Sequence, residues 1–322
     1  MKIWKVTTLG IIFIVAMFLW IFVWGLSANQ PGSYYNKGNN AVWLSHQWVG
    51  EAKSDIEIQA LVRRLKEHDI GTVFVHSGPL KEDGSIDPTT YQHSIAFVEK
   101  AKRLDPDIEY QAWIGQLRGK IDLGNDNVRH NIANQCRTLA YLVGFDGIHF
   151  DVEPVWDGDL EFIETIEECR DVIPKDKKIS VALAEFIPES FIWFTEKIHT
   201  FENYNTEVNY QNVAEHADQV VVMAYDTGLT HDWMYEWLVK EQTIWLSDLL
   251  DGTELFVGIP SYDDEKAGFD PAVENVRTGL NGIVKGLNNV RSNVENFEGV
   301  AIYSYWEMGG DEWITFKDLW VE

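Results

Sequence analysis

Two rhythms of apolar and polar positions alternate along the chain. Short apolar runs, rich in β-branched residues, recur at 41–45 (AVWLS), 71–76 (GTVFVH), 108–114 (IEYQAWI), 147–152 (GIHFDV), 178–184 (KISVALA), 218–225 (DQVVVMAY), 254–260 (ELFVGIP) and 299–305 (GVAIYSY). Between them the spacing is helical. Over 55–67, Ile58, Leu61, Val62 and Leu65 share one face of a helix. Further helices are predicted near 88–104, 125–143, 160–172, 208–216, 233–250 and 272–290, with a short closing helix at the chain end. Strands that are apolar on both faces, each followed by a helix, indicate parallel βαβ units with the sheet covered on both sides. Eight such units fit a closed (β/α)8 TIM barrel of about 250 residues. The alternative is an open doubly wound sheet, but no GxGxxG or P-loop follows the first strand to support one.

Ahead of the barrel pattern, Lys2 and Lys5 precede an apolar stretch that carries no charge between Gly10 and Leu26. Its length approaches the roughly 20 residues that span a bilayer as a helix. The two lysines predict a cytoplasmic N-terminus with the body exported. Signal peptides have shorter apolar cores, of roughly 7–15 residues, and a small residue at position −3. Here Leu26 would occupy that position before Ala28, which favours an uncleaved membrane anchor over a cleaved signal. The predicted organisation is an anchor or signal segment over 1–28, a polar linker over 29–40 and the barrel over 41–322.

Charge narrows the partners. The formal net charge is −25, and so acidic a surface repels phosphate backbones and argues against nucleic acid. The 14 Trp residues exceed ordinary core needs and offer flat faces suited to sugar rings. Cys136 and Cys169 are the two cysteines. They are too few for a disulfide scaffold or a metal site, and the sequence leaves open a bridge or two buried thiols.

Barrel enzymes carry their chemistry at the C-terminal strand ends. Those ends hold His46 and Trp48, His76, Trp113, then His149, Asp151 and Glu153, followed by Glu185, Tyr225, Asp226, Tyr262, Tyr303, Trp306 and Glu307. His149, Asp151 and Glu153 are two apart and so share one face of their strand. Burying carboxylates without partners costs several kcal/mol, on the order of 2–7 per polar group, so such a row needs a chemical reason. Asp146, at the start of the strand, reads as a turn residue.

The stretch GFDGIHFDVEP resembles the fourth-strand signature of glycoside hydrolase family 18, the chitinase family, whose pattern is D-G-x-D-x-D-x-E; Asp146, Gly147, Asp151 and Glu153 match it. VVVMAYD at 220–226 is similar to that family's M-x-Y-D motif, and VGIPSY at 257–262 to its G-x-P-x-Y motif. The resemblance spans about residues 41–310. It implies a retaining glycosidase assisted by the substrate's own 2-acetamido group, needing no cofactor. Glu153 would be the general acid and base, Asp151 would hold the acetamido N–H, Tyr225 its oxygen, and Asp226 the bound sugar. The remaining candidates for sugar contact are His149, Trp48, Trp113, Tyr262, Tyr303 and Trp306, with Trp156 a further platform.

Two positions depart from the family pattern. His149 stands where the family has its middle Asp, and a cationic imidazole there would lower the pKa of Asp151. Tyr303 stands where the family has a Trp as the floor of the catalytic subsite. Two other readings compete: a lectin-like barrel that binds glycan without cleaving it, and a hydrolase with a divalent ion held by His46, His76, His149, Asp151 and Asp226. Glu153 favours the enzyme over the lectin, and HxDxE is not an established ligand spacing. Trp233, Trp237 and Trp245 lie on one helix and read as packing or lid residues. Glu185 either enters the cleft or caps a loop. The acidic runs at 263–265 and 164–168 read as solvated surface.

Overall fold

The computed structural model describes residues 28–189, 192, 204–263 and 268–322. The predicted anchor before Ala28 and positions 264 and 265 of one acidic run lie outside the described residues. Eight strands run β1 (Asn40–Leu44), β2 (Ile70–Pro79), β3 (Glu109–Leu117), β4 (Gly147–Glu153), β5 (Lys178–Leu183), β6 (Gln219–Met223), β7 (Glu254–Pro260) and β8 (Phe297–Tyr303). They pair in chain order, all parallel, and β8 returns to β1 through Ala41↔Ala301 and Val42↔Ile302. The helices between and after them are α1 (Asp55–Glu67), α2 (Ser94–Leu104), α3 (Asp126–Arg137), α4 (Leu160–Val172), α5 (Glu207–Ala214), α6 (Asp232–Leu249), α7 (Val276–Leu287) and α8 (Gly310–Phe316). This is the predicted (β/α)8 barrel.

Capping chemistry sets several helix starts. Ser54 and Glu57 form a reciprocal capping box before α1. Asn275 and Thr278 do the same for α7, which therefore begins four residues after the predicted start at 272. The predicted helix over 88–104 divides into a 3-10 turn at Pro88–Tyr91 and α2. The predicted helix over 125–143 ends as α3 and continues as a π-helical turn, Thr138–Val143, closed by Gly144 at φ 89°.

Side chains fill the barrel in layers. At the base, Gln111 donates to Gln219, Gln219 to Glu254, and Lys178 to Glu254. Above them lies an aromatic layer of Trp43, Phe74 and Phe256, with Val221 and the small Ala41 and Ala301. A second and larger core fills the space between strands and helices, where the outward residues of β4, Ile148, Phe150 and Val152, are buried.

Two features differ from the expectation. The segment 29–40 is no free linker: Asn40 opens β1, and its side chain accepts from the Val300 N–H and the Trp320 indole. Asp146 does more than turn the chain, because it accepts from Lys102, Lys177 and the Tyr110 N–H and so ties α2, β3 and β5 to the start of β4.

Of the two alternatives left open for the cysteines, the structure has the bridge. Cys136 on α3 and Cys169 on α4 form a disulfide, both fully buried, with Cα atoms 5.8 Å apart. Closing a loop across 33 residues lowers the entropy of the unfolded chain. Reduction, or Cys136→Ser with Cys169→Ser, is therefore expected to lower the unfolding free energy by about 3–4 kcal/mol. Denaturant unfolding with and without reductant measures this, and an unchanged midpoint would contradict it.

Candidate active site

The C-terminal ends of all eight strands open at one end of the barrel, and β4 delivers the acids there. His149, Asp151 and Glu153 share the interior face, as the two-residue period requires. They differ in depth: His149 is fully buried, whereas Asp151 and Glu153 are half-buried at the mouth.

His149 lies below any position a sugar could reach, which corrects its expected place among the sugar contacts. Its ring stacks on Phe74 with centroids 3.8 Å apart. The Trp43 indole N–H donates to His149 Nε2 at 3.1 Å. An indole can only donate, so Nε2 carries no proton, and Nδ1–H must donate to Ser180 Oγ, 2.9 Å away. Burial lowers the imidazole pKa to about 3. The ring is thus a neutral spacer with both nitrogens used, and the cationic His149 considered from sequence does not arise. Nor is it free to bind a metal: among the described residues no group of three or more His, Cys, Asp and Glu is arranged to hold one.

Asp151 is held from β3. The Trp113 indole N–H donates to Asp151 Oδ2 at 2.9 Å, and Trp113 is only 9% exposed, its ring edge-on to His76 at 4.5 Å. It braces the carboxylate rather than presenting an open face to a sugar, so it too leaves the list of platforms. Gly115 pairs with Asp151 across the β3–β4 seam. A Cβ there would come within 2.2 Å of the Asp151 carbonyl, so only glycine allows this approach. Asp151 Oδ1 is buried and has no hydrogen-bond partner of good geometry, although the Glu153 carboxyl lies close enough to share a proton with Asp151.

That closeness decides which acid keeps the proton. Burial raises the Asp151 pKa, and hydrogen bonds from Glu153 and Trp113 oppose the rise. Burial raises Glu153 too, and the charge of Asp151, the shared proton, Asp226 and Glu185 all add to it, taking Glu153 to about 8. Between the two, these effects favour the proton on Glu153 and the negative charge on Asp151.

Tyrosines wall the mouth. Tyr303 and Tyr225 lie parallel, centroids 5.4 Å apart, and Tyr262 stands edge-on to both. Tyr303 also touches Trp43 below and Trp306 beside it. Burial and the nearby Asp151 charge push the Tyr225 hydroxyl well above its ordinary value, so it stays a neutral donor. Tyr262 donates to Asp226 Oδ1 at 2.6 Å. Asp226 sits at φ 60°, a left-handed conformation that Asp tolerates better than most residues.

Glu185 does enter this acidic region. It is buried, and burial together with Glu274 and Asp226 raises its pKa to about 8. Sequence reasoning missed Glu274, which is fully buried and accepts from the Thr227 backbone N–H and hydroxyl at 3.1 and 2.8 Å. It missed Trp43 and Ser180 as well; only the inward alternation of β1 and β5 marked them.

Trp48 packs on Phe97 and Tyr305 beneath Lys53. Trp156 is half exposed, with the Arg118 guanidinium 4.6 Å over its ring. His46 and His76 meet edge to face at 6.1 Å. Trp245 packs on Phe186, but Trp233 and Trp237 are 62% and 54% exposed and are not packing residues.

No family model matches the chain, and neither does any curated protein sequence. Solved structures do. The Bacillus cereus spore cortex-lytic enzyme SleL is 13% identical with a TM-score of 0.60, covering 86% of this chain and 73% of its own. A plant class V chitinase mutant from Cycas revoluta, in complex with (GlcNAc)3, is 13% identical with a TM-score of 0.60, covering 88% and 99%. A class V chitinase from Pseudomonas fluorescens Pf-5 is 13% identical with a TM-score of 0.59, at the same coverage. The fold is thus shared with family 18 chitinases.

Two outcomes follow from the buried acids. Glu153 and Glu185 hold protons up to about pH 8 in the folded chain, against 4.5 for an ordinary Glu. The folded state binds more protons across that window, so stability should fall as pH rises through it. Glu185→Gln is expected to raise the melting temperature at pH 8 but hardly at pH 4; an equal change at both would contradict the assignment. Trp113→Phe removes a donor that favours ionised Asp151. A carbon-13 NMR titration of the carboxyls should show Asp151 moving to higher pH, and an unshifted titration would show that the indole is no working donor.

Proposed function

We propose that this chain is a retaining glycoside hydrolase acting on β-linked N-acetylhexosamine glycans such as peptidoglycan or chitin-like oligomers. The observation that carries this reading is the Asp151 and Glu153 carboxyls on one inward face of β4 at a tyrosine-walled barrel mouth, where burial and the Asp151 charge raise Glu153 to about 8. Glu153, protonated near neutrality, donates to the glycosidic oxygen as the C1–O bond breaks. The substrate's acetamido oxygen bonds to C1 and forms an oxazolinium ion. Asp151, ionised and braced by Trp113, accepts the acetamido N–H and balances the positive charge. Tyr225 donates to the acetamido oxygen, while Asp226, aligned by Tyr262, contacts the sugar. Water then attacks C1, Glu153 takes its proton, and the acetamide is restored with the β configuration retained. Each step uses groups of this chain, the substrate and one water.

The fold shared with chitinases and with SleL supports this reading. So does the neutral His149, which leaves the anionic role to Asp151. We place the body outside the cytoplasm, tethered through the 9–26 run. The buried disulfide fits an oxidising compartment, and the acidic surface fits a carbohydrate rather than a nucleic-acid partner.

Glu153→Gln keeps the shape but has no proton to give, so turnover on N-acetylglucosamine oligomers or peptidoglycan should fall about 10²–10⁴-fold while glycan binding persists. Equal turnover by both proteins would remove Glu153 from the acid role. Binding without hydrolysis by the unaltered protein would make the barrel a lectin.

A further inference from the structure

The chain enters the barrel at the pole opposite the carboxyl pair, and it enters pinned. The Ala28 N–H donates to the Asn288 carbonyl at 2.8 Å. The Gln30 N–H donates to Asn288 Oδ1 at 2.7 Å, and the Asn288 amide returns a bond to the Gln30 carbonyl at 2.9 Å. Tyr35 donates to the same Oδ1. Asn288 is the C-cap of α7, and helix C-termini lie at the base of a (β/α)8 barrel, where the strands begin. Gly32 is pressed there against the C-terminal segment: a Cβ at this position would come within 2.2 Å of the Leu319 carbonyl. Lys37 then holds the Glu295 carbonyl.

The uncharged run ends at Leu26, two residues before the first pinned position. Two residues reach at most about 7 Å. A run that crosses a bilayer therefore leaves no slack for the barrel to turn over. Exposed Tyr34, Tyr141, Leu142 and Val290 lie in segments that lead into strands at this same base, and such side chains suit the interfacial zone of a bilayer.

We propose that the base of the barrel rests on the bilayer entered by the 9–26 run, with the cleft aimed away from it toward glycan that stands off the membrane by the height of the barrel. This rests on the tethered reading given above.

The test uses the full chain in vesicles of phosphatidylethanolamine and phosphatidylglycerol with an acceptor dye on the headgroups. A donor dye is placed on Val290→Cys at the base or Trp233→Cys at the rim; the native cysteines are bridged and buried. Strong energy transfer from position 290 and its loss at position 233 is the expected result. Equal or reversed transfer from protein that survives an alkaline carbonate wash would overturn the orientation and leave the tether standing. Release of the chain by that wash would overturn the tether, and the orientation with it.

Discussion

Two carboxyl groups two residues apart on one strand cannot both be charged where water is scarce, and the rest of the site is arranged around that constraint. Asp151 and Glu153 sit at the rim of a barrel whose middle is filled by Trp43, Phe74, Phe256 and the neutral ring of His149. This aromatic plug keeps solvent from below, so neither charge is relieved from that side. The Trp113 N–H is the asymmetry that breaks the tie. It stabilises the anion on Asp151 and leaves the proton to Glu153. Gly115 makes the arrangement possible by letting β3 and β4 approach closely at that level.

His149 shows how a departure from a pattern is absorbed. An imidazole in place of a carboxyl would be a liability if it were charged in the barrel interior. Trp43 and Ser180 use both ring nitrogens and fix the tautomer, so the position carries no charge. The hydrogen bond that an acid at this level would supply to Asp151 comes instead from the neighbouring strand. A second tier of acids, Glu185, Glu274 and Asp226, borders the mouth; burial raises Glu185 to about 8 and Glu274 to about 7, so neither buried glutamate is fully ionised at neutral pH.

Much of this was legible in the chain because it is local. Eight strands buried on both faces read as continuous apolar runs, and the two-residue period alone puts His149, Asp151 and Glu153 on one face. Helix starts shifted where capping overrode apolar spacing, as at Asn275. What escaped depends on partners distant in sequence. Trp113 looks like any cleft aromatic until β3 pairs with β4 and brings its indole to a residue 38 positions away. The neutrality of His149 depends on Trp43, 106 positions away. The packing of Trp48 was hidden too: a short helix, Gln47–Gly50, turns its ring onto α2. The disulfide was undecided for the same reason: only the packing of α3 beside α4 brings the cysteines together.

The central claim, that Glu153 acts through the substrate's own acetamide rather than by direct attack of water, is tested most directly by the anomeric form of the first product. Proton NMR during the first turnovers of a β-linked N-acetylglucosamine oligomer reads it before mutarotation mixes the anomers. The account predicts that the β-anomer appears first, because two displacements at C1 restore the starting configuration. First appearance of the α-anomer would mean a single displacement by water and would contradict it.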